Sequence, residues 1–510
     1  MLKDALCCQY FTVLEQSVPV NAYRMGGIHF WPFVRNFLYS PLMHHILPVV
    51  PAEAEARIAA RFHAILAALG LPHSSVSENG PPPVTPSITA GAHRSSVLFF
   101  TRPIEHSGTV PDGFYAPILD PWFEAALEAG PALKAEFIEN ASLTQQPRRH
   151  GTFLLVPPAQ ARIQAAQAAL MADGFTALRD LLVRIADFSR TELLVDIGGV
   201  LDAVVRNFIV CMAHKTEMAA YLAAVRPRAL ALICHYYPVG MGVVWACHEQ
   251  GVRTLELQHG MNGDCHPGYT HWTAVPPEGY ALLPDVFSTW GETSLGNIMR
   301  WWPRNGHPHR AVIGGRPDLD VGAGLDAHAA AAAEVLTPLK ARHRRTILVS
   351  LAAESIDPLF TDIIAKAPRD WLWLLRSHPR TLTEPVPGAS PDDIHAILSG
   401  RGFTNFETHI TSRAFLSTVL AHADHLLTRQ SSSWMEAFAF GVPTTFVNSQ
   451  ARTIYASLLQ ERRARYVDTV EELVAGVERG WDGLVTEGPS VIVSDPDLMR
   501  RTLNTVLNGR

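Results

Sequence analysis

The chain has 510 residues, of which 47% are hydrophobic and 18% are charged, and its formal net charge at pH 7 is −6. Two or three domains are expected at this length, and the acidic balance excludes a general nucleic-acid-binding protein, which needs runs of Lys and Arg. The six cysteines show no CxxC spacing, which predicts thiols in a reducing cytoplasm and not a disulfide framework.

Residues 1–92 are predicted to form an N-terminal helical extension that ends in a linker. Segment 26–47 is amphipathic, and its few cations favour packing against the main body over docking on a membrane surface. Segment 71–92 is rich in Pro, Ser and Gly, as linkers are. The start of the chain has charges in its apolar region and no small-residue cleavage site, so no signal peptide is expected.

Residues 93–340 are predicted to form a first α/β domain. A buried strand, a second strand, two helical stretches and a strand–helix–strand unit follow one another at 95–102, 151–158, 159–188, 191–227 and 228–263. The βαβ order of the last unit implies a parallel sheet. Its apolar run, 229–247, contains Pro and Gly, which favours a strand and a helix over a membrane span.

Residues 341–490 are predicted to form a second α/β domain, and 491–510 a C-terminal helix. Strands are predicted at 346–351, 371–375, 403–406, 425–428 and 444–447, with helices at 359–366, 413–422, 434–440 and 469–479. The predicted fold class is therefore α/β, with two Rossmann-like domains that face a central cleft.

Three successive serines join the strand at 425–428 to the helix that follows it. A helix N-terminus carries unpaired backbone N–H groups and partial positive charge, so Ser431, Ser432 and Ser433 either cap the helix or help to hold a phosphate. Glu436 lies about one turn into the helix, where its carboxylate can accept hydrogen bonds from ribose hydroxyls. Arg376 and His378 follow the strand at 371–375. Because the carboxyl ends of adjacent parallel strands face one crevice, these residues are predicted to converge on one anionic group.

Three residues of the first domain are candidates for a general base. His259 follows a predicted strand and precedes a glycine, which lets a substrate approach, and imidazole titrates near neutrality. Glu105 and Asp112 lie on the loop after the first strand, where parallel sheets place chemistry. A hydrogen-bonded structural histidine is the alternative for His259.

Two sequence features have the residue types of a metal site. Cys265, His266 and His271 could ligate zinc, but no second cysteine or carboxylate lies at ligand spacing around them. The acidic pairs Asp318/Asp320 and Asp495/Asp497 are interpreted as turn and cap residues. No metal ligand set is therefore predicted.

Five segments, in order along the chain, resemble a family pattern: QHG (258–260), VIGGRPDLD (312–320), TILVSLAAE (346–354), LLRSHP (374–379) and HADHLLTRQSSSWMEAF (422–438). Together they resemble the CDP-glycerol glycerophosphotransferases of teichoic acid synthesis and are similar to bacterial capsule transferases of the polysialyltransferase and Kdo-transferase type. The resemblance covers roughly residues 95–450 and rests on the order of the motifs.

The resemblance implies a GT-B fold in which a His-Pro pair and a serine pair hold the donor phosphate and a residue of the first domain is the base. His378 and Ser431 to Ser433 would then contact the donor phosphates, Arg376 would add a charge-assisted contact, and His259 would lie where the glycerophosphotransferases have a histidine-glycine pair. Here Gln258 precedes the histidine, where that family has a tryptophan.

The function expected from these features is a metal-independent glycosyltransferase of bacterial surface-polysaccharide synthesis (capsule, lipopolysaccharide or teichoic type). Its donor would be a nucleotide sugar, with CMP- and CDP-linked sugars as candidates, which is a substrate and not a cofactor, and its acceptor a glycan or a lipid-linked acceptor. Polyol-phosphate transfer, nucleotide-sugar epimerisation and a non-catalytic carbohydrate-binding or assembly role remain open. A cytoplasmic location is expected, with peripheral contacts to the inner membrane or to other polysaccharide-assembly enzymes and none to nucleic acid.

Overall fold

The computed structural model describes residues 3–68, 97–102, 108–110, 113–138, 148–260, 262–316, 319, 326–351, 356–379, 381 and 386–508. The described β-strands, in chain order, are β1 Arg24–Met25, β2 Ile28–His29, β3 Val97–Thr101, β4 Gly108–Val110, β5 Gly113–Tyr115, β6 Ala132–Phe137, β7 Phe153–Leu155, β8 Ala229–Ile233, β9 Arg253–Leu257, β10 Val286–Thr289, β11 Arg310–Ile313, β12 Arg345–Ser350, β13 Trp371–Arg376, β14 Phe406–Glu407, β15 His425–Thr428, β16 Thr444–Phe446 and β17 Arg465–Tyr466.

The described α-helices, in the same order, are α1 Lys3–Ser17, α2 Trp31–Pro41, α3 Ala52–Ala68, α4 Asp120–Ala129, α5 Gln160–Asp173, α6 Phe175–Thr191, α7 Leu201–Val225, α8 Pro238–Glu249, α9 Glu292–Met299, α10 Ala329–Ala341, α11 Pro358–Lys366, α12 Pro391–Gly400, α13 His409–Arg413, α14 Leu416–Leu420, α15 Ser433–Ala439, α16 Ala451–Ile454, α17 Ala456–Gln460, α18 Val470–Arg479 and α19 Pro496–Asn508.

Two parallel sheets define two α/β domains. The first domain has seven strands in the spatial order β11-β10-β9-β8-β3-β6-β7, and the second has six in the order β14-β13-β12-β15-β16-β17. All pairings within both sheets are parallel. The carboxyl ends of both sheets face the cleft between the domains, so the predicted class of two facing Rossmann-like domains, the GT-B type, is confirmed.

The N-terminal segment packs against the body of the first domain. Phe33 of α2 meets Phe208 of α7 with ring centroids 4.9 Å apart, and Phe208 stacks on Trp245 of α8. Trp31 and Phe33 are completely buried in the same apolar core. The apolar side of segment 26–47 is thus used in the protein interior, which gives α2 a packing role.

One helix in the described part of the chain, Gly198–Val225, is long and apolar enough by composition to span a membrane. Its α-helical part, α7, packs along α5 and α8. Phe208 and Cys211 of this helix are completely buried, and its apolar residues contribute to the cores on both sides of it. The apolar composition of α7 is thus explained by packing within the first domain.

Strand β6 lies inside the first sheet, yet its sequence does not indicate a buried strand. Lys134 and Glu136 of β6 are buried, and each has a partner of opposite charge, Asp120 for Lys134 at 2.5 Å and Arg148 for Glu136. Buried charges are tolerated when they are paired. Asp120, which the sequence places on a polar loop, therefore has a structural role as the first residue of α4.

Strands β12, β13, β15 and β16 lie where the sequence predicts them, whereas the strand predicted at 403–406 is the shorter β14 at Phe406–Glu407, and α12 and β17 were not predicted. The helix predicted at 413–422 is present only as α14, which an extended Phe415 separates from α13. Asp326 stabilises the break, since its carboxylate accepts hydrogen bonds from the Phe415 N–H at 2.8 Å and the Thr418 hydroxyl at 2.6 Å. A side chain distant in sequence therefore ends one helix and starts the next.

The C-terminal helix α19 returns to the first domain. Met499, Leu503 and Val506 of α19 are buried in the core that lies against β3 and α4. Just before the helix, Val493 pairs through its backbone with Trp290 and Arg316 of the first domain, at 2.8 Å in each case. The C-terminal segment thus crosses from the second domain back to the first and connects the two domains.

Candidate active site

A cavity of about 190 Å³ lies between the two sheets at their carboxyl ends. The first domain contributes His259, Trp290 and Arg316 to its wall. The second domain contributes side chains at or after the carboxyl ends of β12, β13 and β15, and these include Arg376, Ser377, His378, Ser431, Ser432, Ser433 and Glu436. The structure therefore brings together every predicted site residue that lies in its described part.

The serine loop has one hydroxyl that shapes the turn and one buried hydroxyl whose residue lines the cavity. Ser431 Oγ accepts a hydrogen bond from the Ser433 N–H at 3.2 Å and lies 3.5 Å from Ser350 Oγ, so Ser431 shapes the turn. Ser433 Oγ is buried and has no hydrogen-bond partner among the described residues. A buried hydroxyl without a partner costs about 1–3 kcal/mol. Helix α15, which begins at Ser433, has only seven residues.

Arg376 lies at the base of the cavity and is 6% exposed. Its Nη1 donates to the carbonyl oxygens of Thr411 and Ala414, each at 2.6 Å, which anchors the break between α13 and α14. Burial lowers the pKa of Arg376 to about 10, and the nearby carboxylates of Glu436 and Asp326 oppose that shift. The guanidinium is therefore charged at neutral pH and contributes positive potential as well as positioning the loop.

His378 and Ser377 continue from β13 along the edge of the cavity. His378 is exposed and borders the cavity. Ser377 is 1% exposed, and its Oγ has no hydrogen-bond partner among the described residues. Its backbone N–H donates to Ser412 Oγ at 3.1 Å, which holds the Ser377 backbone in place. Two buried hydroxyls, one from each of two strand ends, thus border a single cavity.

Glu436 pairs with the first domain. Its Oε1 lies 2.5 Å from Nη1 of Arg316, and both side chains are at most 10% exposed. The Arg316 guanidinium also lies over the Trp290 ring, 4.4 Å from its centroid. The predicted contact between Glu436 and a ribose stays a prediction, while the ion pair gives this carboxylate a second role as a contact between the two domains.

His259 faces the serine loop from the opposite wall. A Cβ atom placed on the next residue, Gly260, would lie 3.7 Å from Ser432 Oγ, so the end of β9 and the serine loop approach closely. His259 Nε2 lies 3.1 Å from the Tyr236 hydroxyl, and the two rings stack. His259 Nδ1 is buried without a partner in the described part of the chain.

A buried polar network supports His259 from behind. Glu256 pairs with His235 Nδ1 and accepts a hydrogen bond from the Tyr269 hydroxyl at 2.6 Å. Burial lowers the pKa of His259, and the Glu256 carboxylate opposes the shift. Burial also raises the pKa of Tyr236 well above its usual value. At neutral pH His259 is therefore an uncharged imidazole beside an uncharged phenol, the state that a general base requires.

The other two base candidates, Glu105 and Asp112, lie outside the described residues. Their predicted roles therefore stay predictions. The described residues Pro117 and Ile118, which follow that loop in the chain, line the cavity.

Sequence reasoning did not single out several residues of this site. Ser377 lies between Arg376 and His378 in the RSHP motif, so its position after a buried strand was an available signal. Tyr236 follows β8 in the same way that His259 follows β9, and the parallel-strand rule predicts a common edge for them. The pairing of Arg316 with Glu436 joins two domains, and no local pattern reveals such a contact.

Comparisons with known proteins give only distant likenesses. No known protein family matches the chain, and no curated protein sequence matches it. Among solved structures, the UDP-GlcNAc 2-epimerase of Methanocaldococcus jannaschii aligns with a TM-score of 0.45 at 12% identity, over 81% of this chain and all of that one.

Two further solved structures are similarly distant. The UDP-GlcNAc 2-epimerase of Neisseria meningitidis, bound to UDP-GlcNAc, has a TM-score of 0.43 and 10% identity over 81% of this chain and all of its own. Anabaena Alr3699/HepE, in complex with UDP and glucose, has a TM-score of 0.41 and 9% identity over 82% of this chain and all of its own. These values are too low to carry a conclusion about what this chain does.

Proposed function

We propose that this chain is an enzyme that binds a nucleotide-activated sugar in the cleft and transfers the sugar to a hydroxyl of a glycan or lipid-linked acceptor. One observation carries the proposal: Ser377 directly follows β13 and Ser433 begins the helix after β15, and these two strands flank β12. The buried hydroxyls of both serines border one cavity and have no partner among the described residues. A phosphate oxygen can accept hydrogen bonds from both.

The charge of the cavity suits a phosphate. Arg376 places a buried cation at its base, and Arg316 places a second one at the opposite wall. Glu436 lies near both and balances part of their charge. A phosphate that enters the cavity therefore meets a net positive site, and hydrogen bonds to charged groups are the stronger ones. His378 at the rim adds a further donor.

His259 is the proposed base. The uncharged imidazole of His259, which lies beside the Tyr236 hydroxyl, accepts the proton of the acceptor hydroxyl. The acceptor oxygen then forms a bond to the anomeric carbon, and the bond from that carbon to the phosphate oxygen breaks. The leaving phosphate takes the bonding electrons and is stabilised by the arginines and serine hydroxyls.

Epimerisation of a nucleotide sugar is the second candidate. The pair of Arg316 and Glu436 bridges the domains beside the cavity, and a reaction with one substrate needs no channel for an acceptor. The same nucleotide site and the same imidazole would serve it, with proton abstraction from a sugar carbon in place of a hydroxyl. Polyol-phosphate transfer would also use this phosphate site.

One set of measurements separates these functions. Thermal shift against CMP, CDP, UDP, GDP and dTDP identifies the nucleotide, and sugars linked to the best binder are then incubated with and without glycan acceptors. Acceptor-dependent release of nucleotide supports transfer, whereas conversion of the donor to an epimer without release supports epimerisation. Binding without turnover of any donor supports a non-catalytic role, and no stabilisation by any nucleotide contradicts the proposal.

The biological setting is also proposed. A role in surface-polysaccharide synthesis, a cytoplasmic location and a peripheral contact with the inner membrane are supported by the motif order that resembles capsule and teichoic-acid transferases. Fractionation of cells, with loss of surface polysaccharide on deletion of the gene, tests these three expectations together.

A further inference from the structure

Three metal-ligating side chains meet outside the cleft. Cys8 of α1, Cys265 and His271 place one ligand atom each within 4.8 Å of one another, and each residue is 6% exposed. Cys265 and His271 belong to the CHPGYTH segment, in which linear spacing supplies too few ligands for zinc. The missing cysteine comes from α1, more than 250 residues away along the chain. From this cluster we infer a zinc site formed by Cys8, Cys265 and His271.

The hydrogen bonds of His271 leave the correct ring nitrogen for a metal. Its Nε2 lies 3.1 Å from the carbonyl oxygen of Asp264, which only accepts, so Nε2 carries the hydrogen. Nδ1 then has the lone pair. Metal-binding histidines commonly donate their other N–H to a backbone carbonyl in this way, which fixes the tautomer and the ring orientation. The His271 ring also stacks on Trp301, with centroids 3.7 Å apart.

The surroundings hold both sides of the cluster in place. Thr12 lies one turn after Cys8 on α1, and its hydroxyl is 3.1 Å from His271 Nδ1 and 3.3 Å from the Cys8 carbonyl oxygen. Arg35 donates to the carbonyl oxygens of Thr270 at 2.6 Å and His271 at 2.9 Å. When a metal binds Nδ1, the Thr12 hydroxyl retains the Cys8 carbonyl as its partner.

The ligand chemistry selects zinc. Two thiolates and one imidazole are soft and borderline ligands that Zn²⁺ prefers, and they leave a fourth tetrahedral position for water. Ligand atoms around tetrahedral zinc lie about 3.5–3.8 Å apart, given Zn–S and Zn–N bonds of about 2.3 and 2.0 Å. No pair of ligand atoms, which lie within 4.8 Å of one another, therefore has to approach by more than about 1.3 Å on binding. The two thiols release their protons, and the ion with two thiolates has no net charge, which suits a buried site.

The position of the site gives the ion a structural role. The zinc ion would link α1 to the segment 262–271, which lies shortly after His259 in the chain. Asp264 of that segment binds the Ser457 backbone N–H at 2.9 Å and the Ser457 hydroxyl at 2.7 Å in the second domain. Zinc would thus stabilise the segment that links the candidate base to the interface between the domains, independently of the reaction in the cleft.

The test measures metal in the full-length chain, purified with reductant and without chelator. Elemental analysis should find about one zinc per chain in the wild type and in Cys7→Ser, the neighbouring buried cysteine, and a small fraction of this in Cys8→Ser and Cys265→Ser. The Co²⁺-loaded wild type should show thiolate-to-cobalt charge transfer and the intense visible bands of a tetrahedral ion, lost in His271→Asn.

Several results would overturn the inference. Wild type that contains no zinc, and shows no thiolate charge transfer on anaerobic Co²⁺ titration, has no such site, and this result requires no variant to fold. Zinc retained in both Cys8→Ser and Cys265→Ser lies elsewhere. A disulfide between Cys8 and Cys265, detected by mass spectrometry after thiols are blocked in the lysate, assigns the pair to a covalent link.

Discussion

Arg316 and Glu436 form an ion pair across the cleft, with Arg316 Nη1 2.5 Å from Glu436 Oε1. The arginine follows β11 of the first domain, and the glutamate lies in α15 of the second. Trp290 lies beneath the arginine, 4.4 Å from ring centroid to guanidinium carbon. The pair therefore couples the relative position of the domains to the charge of the cavity that both residues line.

Removal of one partner of this pair should destabilise the protein. Glu436→Gln leaves a mostly buried guanidinium without its counter-charge, and the free energy of unfolding should fall by roughly 3 kcal/mol. Arg316→Gln should have a similar effect, and the double variant should cost less than the two single losses combined. Urea unfolding of all four proteins gives the coupling free energy, and strict additivity would show that the pair contributes nothing.

The same Glu436→Gln variant tests the predicted ribose contact. If Glu436 accepts hydrogen bonds from ribose hydroxyls, the variant should bind the preferred nucleotide less tightly and pyrophosphate equally well. If the carboxylate acts only through the cavity charge, both ligands should bind at least as tightly as before, because a negative charge has been removed. Isothermal titration with both ligands distinguishes the two outcomes.

Nucleotide binding should depend on His378 and on Ser433. We expect His378→Ala to weaken binding by about 1.5–3 kcal/mol, the usual size for a hydrogen bond to a charged group. Ser433→Ala removes a buried hydroxyl that lacks a partner among the described residues, so it should weaken binding while leaving unfolding stability unchanged or higher. Equal nucleotide affinity in His378→Ala and the wild type would remove the histidine from the phosphate site.

Turnover should depend on His259. His259→Ala should lower kcat by about 10²–10⁴-fold, the usual share of general-base catalysis, with nucleotide affinity changed only a few-fold. Because burial lowers the pKa of His259, the imidazole stays uncharged below pH 6.5. The apparent pKa on the acid side of the pH profile of kcat/KM should therefore lie below 6.5. Full turnover in His259→Ala, with loss in Asp112→Asn or Glu105→Gln, would assign the base to the carboxylate.

The reaction should not require added divalent cations. Arg376, Arg316 and His378 supply positive charge where a leaving phosphate would lie, which is the task that Mg²⁺ performs in many phosphate sites. Brief treatment with EDTA should leave the rate nearly intact, and added Mg²⁺ or Mn²⁺ should not raise it. Mg²⁺ does not replace zinc at a thiolate site, because it prefers oxygen ligands. A rate that EDTA abolishes and Mg²⁺ alone restores would therefore show that the phosphate site uses a cation.

Acid should destabilise the fold through buried histidines such as His425. His425 is completely buried in β15, its Nε2 lies 2.8 Å from Thr445 Oγ1, and burial lowers its pKa to about 3. The unfolded chain protonates this group near pH 6.5, so between that pH and about 3 the unfolded state holds more protons and stability falls as pH falls.

The measurement compares unfolding at pH 7 and pH 5. His425→Gln, which can still bond Thr445, should lose less stability between these pH values than the wild type, by up to about 1.4 kcal/mol per pH unit. The control, His395→Gln, changes an exposed residue of α12 and should match the wild type. Equal acid sensitivity in all three proteins would contradict a neutral buried His425.

The sequence by itself was sufficient for the four strands β12, β13, β15 and β16 of the second sheet and for one wall of the site. Strands β12, β13 and β15 are short, continuous apolar runs, and such runs indicate strands that are buried on both faces. Parallel strands share a carboxyl edge, so RSHP after β13 and the serines after β15 were expected at the same edge, and the structure places the two strands on either side of β12. Local pattern and one topological rule were enough for this inference.

Only the tertiary structure decided the contacts between distant segments. Lys134 in β6 is compatible with a buried strand because Asp120 pairs with it, Glu436 faces Arg316 because the domains close on each other, and Cys8 reaches Cys265 because α1 packs beside that loop. Each contact depends on where whole elements lie in space. Hydrophobic periodicity reports the environment of a residue along its own helix or strand, and it carries no information about which distant side chain will face it.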